Sequence, residues 1–448
     1  MRRCLDTKRP TCHVPPTDRL FFNPLLAYLT MRSVFINLGP LVSFRNGLGK
    51  DDESSIITDG MGIVVEGQQI IKITDSASLA EEYSIQDGGR TVVGDVTCYN
   101  LEGQAVVPGL VDTHTHLLWA GDRSKEVSWR REGKSYAEIA AMGGGIQYTV
   151  EETRRATDEH LHALGYQRLR EALYTGTTHL EAKSGYGLDV ESELRLLEIA
   201  DRLNRDRLTP TVDHTWMGAH DVPQGKTTEA YVEELLADQL PAVVEQGIAR
   251  SADVFCEPGW FSVEQSEKIL RASRAAGLDL RMHVDEFADG GGGELAAELR
   301  VQTADHAYHT SLDVRMRMKA AGVNTGFLPG TPYAMGDMWP DMAEVVDHDL
   351  PFSLASDFNP NCRTLSLPFV CSLMVQRCGM HPLHALAAVT VQAAQTSPHP
   401  SGLDHGVIVE GGVANFNIVD GPHWESTVLR PSASPFLATV LGGQFIAH

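Results

Sequence analysis

Cysteine is scarce in this sequence and scattered, with seven thiols at positions 4, 12, 98, 256, 362, 371 and 378. No two stand at CxxC spacing and the total is odd, which argues against a zinc ribbon, a dithiol redox motif or a disulfide framework. They read as reduced thiols of a cytoplasmic protein. Also missing is any apolar run of the roughly 18–20 residues needed to span a bilayer. The most apolar early stretch, residues 20–29, is interrupted by Asn23 and Pro24. Positive charge is short as well: 37 Lys and Arg against 59 Asp and Glu give a net charge of −22. That balance speaks against nucleic acid or an anionic membrane as the partner. Neither GxGxxG nor GxxxxGK[ST] occurs, so Gly143–Gly144–Gly145 and the run Gly290–Gly293 are not phosphate loops. We read both as flexible, lid-like loops over a site mouth.

At 448 residues the chain is long enough for one large domain and a smaller one. Residues 1–30 lack periodicity and mix Arg, Pro and Cys, with Asp6 and Asp18 interrupting the basic run. They are expected to form a disordered extension. Short β-branched runs at 33–38, 62–65, 69–73 and 104–107 are separated by Gly, Asp and Ser. The tail repeats this pattern at 407–409, 416–419 and 436–441. Residues 31–106 and 405–448 are therefore expected to build one small, β-sandwich-like domain from both chain ends.

Between them, residues 107–404 alternate strands and helices. Strand-like runs fall at 105–111, 177–182, 211–217, 253–256, 279–284, 303–306, 323–328 and 351–356. Helical periodicity marks 190–204, 229–246, 263–276 and 293–300. Eight such repeats fit an α/β fold of the (β/α)8, TIM-like barrel type. A doubly wound sheet would alternate too, and the positions of the polar residues decide between them. They sit at the C-terminal ends of the strands: His114 and His116, Lys183 and Tyr186, His220, Glu257, His283 and Glu286, His306, then Asp357 and Asn359. In a barrel these ends converge on one mouth.

His114 and His116 lie i and i+2 on extended backbone, so both imidazoles point the same way. HxH alone is a weak signal, and His283 or Asp357 alone could be a core histidine or an Asx-turn residue. Together, His114, His116, His283 and Asp357 offer three imidazoles and a carboxylate, a ligand set that leaves room for water on a metal ion. Glu286, three residues past His283, suits a general base, with orientation of an imidazole as the plainer alternative. His306 could polarise a carbonyl or take a proton, or be a core histidine. His220, as a ring donor, and Tyr186, as a phenol, read as substrate contacts. Lys183 could be a carbamylated bridge between two metals, but its place on the second strand favours a structural or electrostatic role. Arg123, seven residues past His116, suits a carboxylate-bearing substrate, with a surface ion pair as the alternative.

The segments VVPGLVDTHTH, WAGDR, MGGGI, EAKSGYG, MGAH, HVDEF, ADH, FLPGTPYAMGD and SDFNPN follow one another in this order. In this the chain resembles the imidazolonepropionases of the amidohydrolase superfamily, from about Met31 to its C-terminus. The resemblance implies hydrolysis of the cyclic amide 4-imidazolone-5-propanoate to N-formimino-L-glutamate in histidine degradation, by a metal-bound hydroxide. It implies one metal per subunit, zinc or iron, on His114, His116, His283 and Asp357. It implies substrate contacts from Arg123, Tyr186, His220, Glu286, Asn359 and Asn361, and catalytic roles for Glu286, His306 and Asp357. A homodimer is the family expectation. Asn361 and Cys362 depart from the NPG form of many bacterial members, and Asn415 stands where an Asp is usual in the small domain.

Overall fold

A computed structural model of the chain describes residues 32–47, 56–57, 60–85, 89–336 and 338–448. The extension expected over residues 1–30 lies outside them. Eight parallel strands follow sequence order around one sheet. They are Leu110–Asp112, Thr177–Lys183, Thr211–Ala219, Ser251–Cys256, Asp279–Val284, Thr303–His306, Asn324–Phe327 and Phe352–Leu354. The expected (β/α)8 barrel is thus present, with seven strands at the strand-like runs and the first at the end of the run over 105–111.

The first and last strands are joined by backbone just beyond their ends. Thr115 bridges Phe358 in parallel. His116 N donates to Phe358 O at 2.8 Å, and Asp357 N donates to His114 O at 3.1 Å. Ser356 N donates to Asp112 Oδ1 at 3.0 Å. Burial raises the Asp112 carboxyl to about 7. The seam that closes the barrel is therefore made by the backbone of the candidate ligands.

Helices cover the outside because their apolar faces repeat at helical spacing. In Val190–Leu203 the buried residues include Leu196, Leu197, Ala200 and Leu203, and the Asp189 side chain caps the first turn. Val263–Ala275 begins with a capping box between Ser262 and Gln265. The stretch expected as one helix over 229–246 contains a π-helical turn, Leu235–Gln239, before Leu240–Gln246. Pro241 there has no N–H to continue the ladder, and the wider turn absorbs the missing bond.

The expected single strand over 105–111 is two strands. Val106–Pro108 pairs with Phe416–Val419 in a six-stranded sheet of the small domain, whereas Leu110–Asp112 pairs with the second barrel strand. Gly109 turns the corner, its N–H donating to Asn415 O at 2.9 Å. A Cβ there would lie 2.3 Å from Thr178 Oγ1, so only glycine fits. A five-stranded sheet, Gln69–Asp75, Met61–Glu66, Arg32–Ile36, Val96–Asn100 and Arg90–Val93, packs against the six-stranded one. Phe35, Ile63, Val65, Phe416 and Val440 fill the space between them. Residues 407–409, expected as a strand, form none; Ile408 is buried and makes one backbone bond, to Ser43 O at 2.9 Å. Asn415 Oδ1 accepts from Gly442 N at 2.7 Å, a small-domain packing role.

At the opposite end from the candidate ligands, His179, His399 and His405 cluster, with ring centroids 5.0–5.7 Å apart. Burial lowers His399 and His405 to about 4 each. A histidine held neutral in the fold stabilises it fully above the unfolded value near 6.5 and loses that contribution as pH falls towards 4. We expect the unfolding free energy from urea titration to drop between pH 7 and pH 5, by up to about 2 kcal/mol for each imidazole at pH 5, and the midpoint with it. A midpoint that stays level over that interval would contradict this.

Candidate metal centre

Each candidate ligand reaches the mouth by a definite local device. His114 and His116 leave the first strand on extended backbone, and their rings lie 5.5 Å apart. His283 ends the fifth strand with its ring 4.5 Å from that of His114 and 5.6 Å from that of His116. Asp357 and His306 both have left-handed backbone, at φ of 49° and 67°. Such conformations are uncommon in residues other than glycine and concentrate at functional sites. Asp357 Oδ1 stands 3.6 Å from His114 Nε2 and 3.8 Å from His116 Nε2. Its other oxygen accepts from Thr331 Oγ1 at 2.6 Å. The ligand atoms form two groups that share His114, one with His116 and Asp357, the other with His283 and His306. His306, expected only as a catalytic group, thus also stands within ligand range.

Carboxylates behind the rings set their tautomers. His114 Nδ1 donates to Asp305 Oδ2 at 2.7 Å, and His283 Nδ1 donates to Asp253 Oδ1 at 2.9 Å. Each ring then turns its Nε2 towards the site, and both Nε2 atoms are buried without a hydrogen-bond partner. Burial drives His114, His116 and His306 well below the ordinary imidazole value, and neighbouring cationic groups add to this. Neutral rings with orphaned lone pairs beside a buried carboxylate fit a divalent cation with nitrogen and oxygen ligands.

The carboxylates are themselves held. Lys183 Nζ donates to Asp253 Oδ2 at 2.7 Å and to Glu181 Oε1 at 3.0 Å. Burial works against both charges, yet the pairing keeps Lys183 raised and Asp253 lowered from their ordinary values. Lys183 has the electrostatic role favoured from its strand position, because a carbamylated lysine would forfeit both ion pairs. Thr303 Oγ1 donates to the far oxygen of Asp305.

A cavity opens beside these groups, lined by Arg123, Tyr186, His220, Glu286, His306, Asn359 and Asn361 among others. All the expected substrate contacts therefore meet in one space. Glu286 Oε2 lies 3.6 Å from His306 Nε2. Tyr186 packs against His116 and His220. His220 Nδ1 donates to Gly185 O at 2.8 Å. Burial lowers its value to about 3. In a neutral ring whose Nδ1 donates, Nε2 is an acceptor, so His220 is not the ring donor expected. Asn359 spends its amide locally: Nδ2 donates to Asp357 O, and Oδ1 accepts from the N–H groups of Asn361 and Cys362. Asn361 Oδ1 accepts from Arg130 at 3.2 Å.

Several carboxylates that organise the site were not legible in the sequence. Glu257, noticed only as a strand-end residue, accepts three backbone N–H groups from Glu286, Phe287 and Ala288 and so fixes the loop carrying Glu286. Asp285 accepts from Gly290, Gly292 and Gly293, so this glycine run is pinned rather than a flexible lid. The Gly143–Gly145 run is held in the same way, with Gly145 N donating to Glu126 at 2.8 Å. For Asp305, the available signal was its place beside His306 on a strand end. Nothing in the sequence pointed to Asp253 as the partner of His283.

No family model matches the chain. Among curated proteins, an imidazolonepropionase of Haloarcula marismortui is 40% identical over 365 residues, covering 81% of this chain and 84% of the relative. One of Alkaliphilus metalliredigens is 39% identical over 380 residues, 84% of this chain and 87% of that protein. The chain belongs to the imidazolonepropionase family. Its fold is similar to that of the 5-methylcytosine deaminase of Klebsiella pneumoniae, with a TM-score of 0.67 and 16% identity, over 93% of this chain and 98% of that one. The ochratoxinase of A. niger matches with a TM-score of 0.64 and 16% identity, over 93% and 95% of the two chains. These two likenesses concern the fold alone. They show that this member of the imidazolonepropionase family shares its overall fold with both proteins.

The carboxylate behind His114 yields a test. Partners that orient a ligating imidazole typically contribute 10–100-fold to metal affinity. Asp305→Asn is expected to weaken metal retention by about that factor in chelator competition. Gly326→Ala should act in the same direction, because its methyl would lie 2.2 Å from Asp305 Oδ1. Unchanged retention in both variants would remove Asp305 from this role.

Proposed function

We propose that this chain is a metal-dependent hydrolase that opens the ring of 4-imidazolone-5-propanoate to give N-formimino-L-glutamate. The observation that carries the reading is the buried set of imidazoles and one carboxylate, with Arg123 on the wall of the same cavity. His114, His116, His283 and Asp357 would hold the metal, zinc or iron, since both accept this donor set. When bound, the ion supplies Lewis acidity and makes water acidic enough to be a nucleophile near neutral pH.

The chain's own groups do the rest. Arg123 binds the propanoate and so orients the ring, while Tyr186 and His220 meet the ring's face and edge. With Nε2 as acceptor, His220 takes a hydrogen bond from a ring N–H, which a ring without that hydrogen cannot offer. The Asn359 and Asn361 turn closes the far side. Glu286 takes the proton of the attacking water and passes it to the leaving ring nitrogen. Asp357, whose proton affinity burial raises, is the second group able to carry it. Neutral His306, next to Glu286, polarises the carbonyl as charge develops on its oxygen. Cytoplasmic location and a homodimer complete the proposal; five cysteines of the described residues are free thiols, in keeping with the first.

Turnover of the imidazolone acid with and without chelator tests the reading. Ring opening that the chelator abolishes is expected, and ammonia release without ring opening would favour a deaminase instead. Glu286→Gln should lower kcat by roughly 10²–10⁴. An unchanged kcat would remove Glu286 from proton transfer. Arg123→Ala should chiefly raise KM, and an effect confined to kcat would count against carboxylate binding.

A further inference from the structure

We propose that Glu126 is a positioning residue that fixes Arg123 and thereby sets the preference of the cavity for a carboxylate-bearing ring. The inference rests on the role proposed for Arg123. Glu126 is 2% exposed, on the short helix Lys125–Arg131. Its Oε1 accepts from Arg123 Nε at 2.7 Å, and its Oε2 accepts from Arg123 Nη2 at 2.9 Å. This is the two-bond fork that locks a guanidinium in plane. Oε1 also accepts from Gly145 N at 2.8 Å. Oε2 lies 3.6 Å from Arg130 Nη1, which donates to Asn361 on the turn after the last strand.

One buried carboxylate thus ties together the arginine, the glycine run and the turn that lines the far side of the cavity. Arg123, Glu126 and Arg130 sum to one positive charge, the complement of a single carboxylate. A long arginine side chain would otherwise lose rotational freedom on binding its ligand, and holding it beforehand removes that cost. The glycine run has its reason here too. Gly144 has extended backbone at φ −101°, which any residue can adopt, yet a Cβ would lie 2.7 Å from Glu126 Oε1 and 2.9 Å from Ile139 Cγ2. Space for the carboxylate, and not backbone conformation, is what demands glycine at this position.

The test is the binding of imidazole-4-propanoate, an unreactive ring acid, and of its propanamide, measured by calorimetry on the metal-loaded protein. The wild type should prefer the acid. E126Q keeps the size but offers Arg123 one acceptor instead of two, and it should bind the acid at least tenfold more weakly and the amide unchanged. G144A should shift the acid in the same direction, and the double variant should be no worse than E126Q. In turnover, the same variants should raise KM for the imidazolone acid with kcat within threefold. No preference for the acid in the wild type, unchanged or tighter acid binding in E126Q, or equal loss of both ligands would overturn the proposal. Should E126Q not fold, E126D, which keeps the charge but retracts it, carries the same expectation. A wild type that prefers the acid but does not turn over the imidazolone would sink the functional reading alone.

Discussion

Lys183 holds its charge in the buried interior of the barrel, and the candidate metal centre is built around that fact. Its ammonium is neutralised by Glu181 on its own strand and Asp253 on the fourth. Asp253 in turn fixes the His283 tautomer. An uncompensated buried charge costs several kcal/mol, so neither carboxylate can leave without the lysine following. Barrels of this class usually fill their interior with layers of branched aliphatics. Here, polar layers occupy that space: Arg281 donates to Thr113 O and Thr396 O, and Asp305 lies behind His114. An ionic interior has fewer alternative packings than an aliphatic one, which suits ligands that must stand in one arrangement.

The architecture was largely legible because two of its signals are local. Strand runs and helical periodicity depend on residues close in sequence, and they located all eight barrel strands. Errors arose where a contact from far away decided the outcome. The run over 105–111 reads as one strand, but Asn415 and Thr178 force a corner at Gly109. Residues 407–409 have strand composition, yet among the described residues they join no sheet, Ile408 making a single backbone bond to Ser43. The π-helical turn before Pro241 is a compromise between a helical period and one absent N–H.

The candidate site divides along the same line. Strand-end histidines and Asp357 stand out because their residue types and spacing are conspicuous. Supporting carboxylates do not, since Glu126, Asp253 and Glu257 look like ordinary acids until their partners are known. The glycine runs look like flexible loops in the sequence for the same reason. Flexibility is the usual inference from glycine, whereas Asp285 and Glu126 use the bare backbone N–H groups as anchors, and crowding excludes side chains. His220 shows the finer limit: its identity was legible, but whether it donates or accepts depended on a carbonyl 35 residues away.

The closing seam ties the maturity of the fold to its chemistry. His114 and His116 belong to the first strand and Asp357 to the end of the last, with Ser356 bonded to Asp112 across 244 residues. Contacts so distant in sequence form late, after the intervening units have shortened the loop between them. A chain still emerging or only partly folded therefore has histidines but no assembled ligand set. A metal held by this set would therefore report a closed barrel, because its ligands come from both sides of the seam.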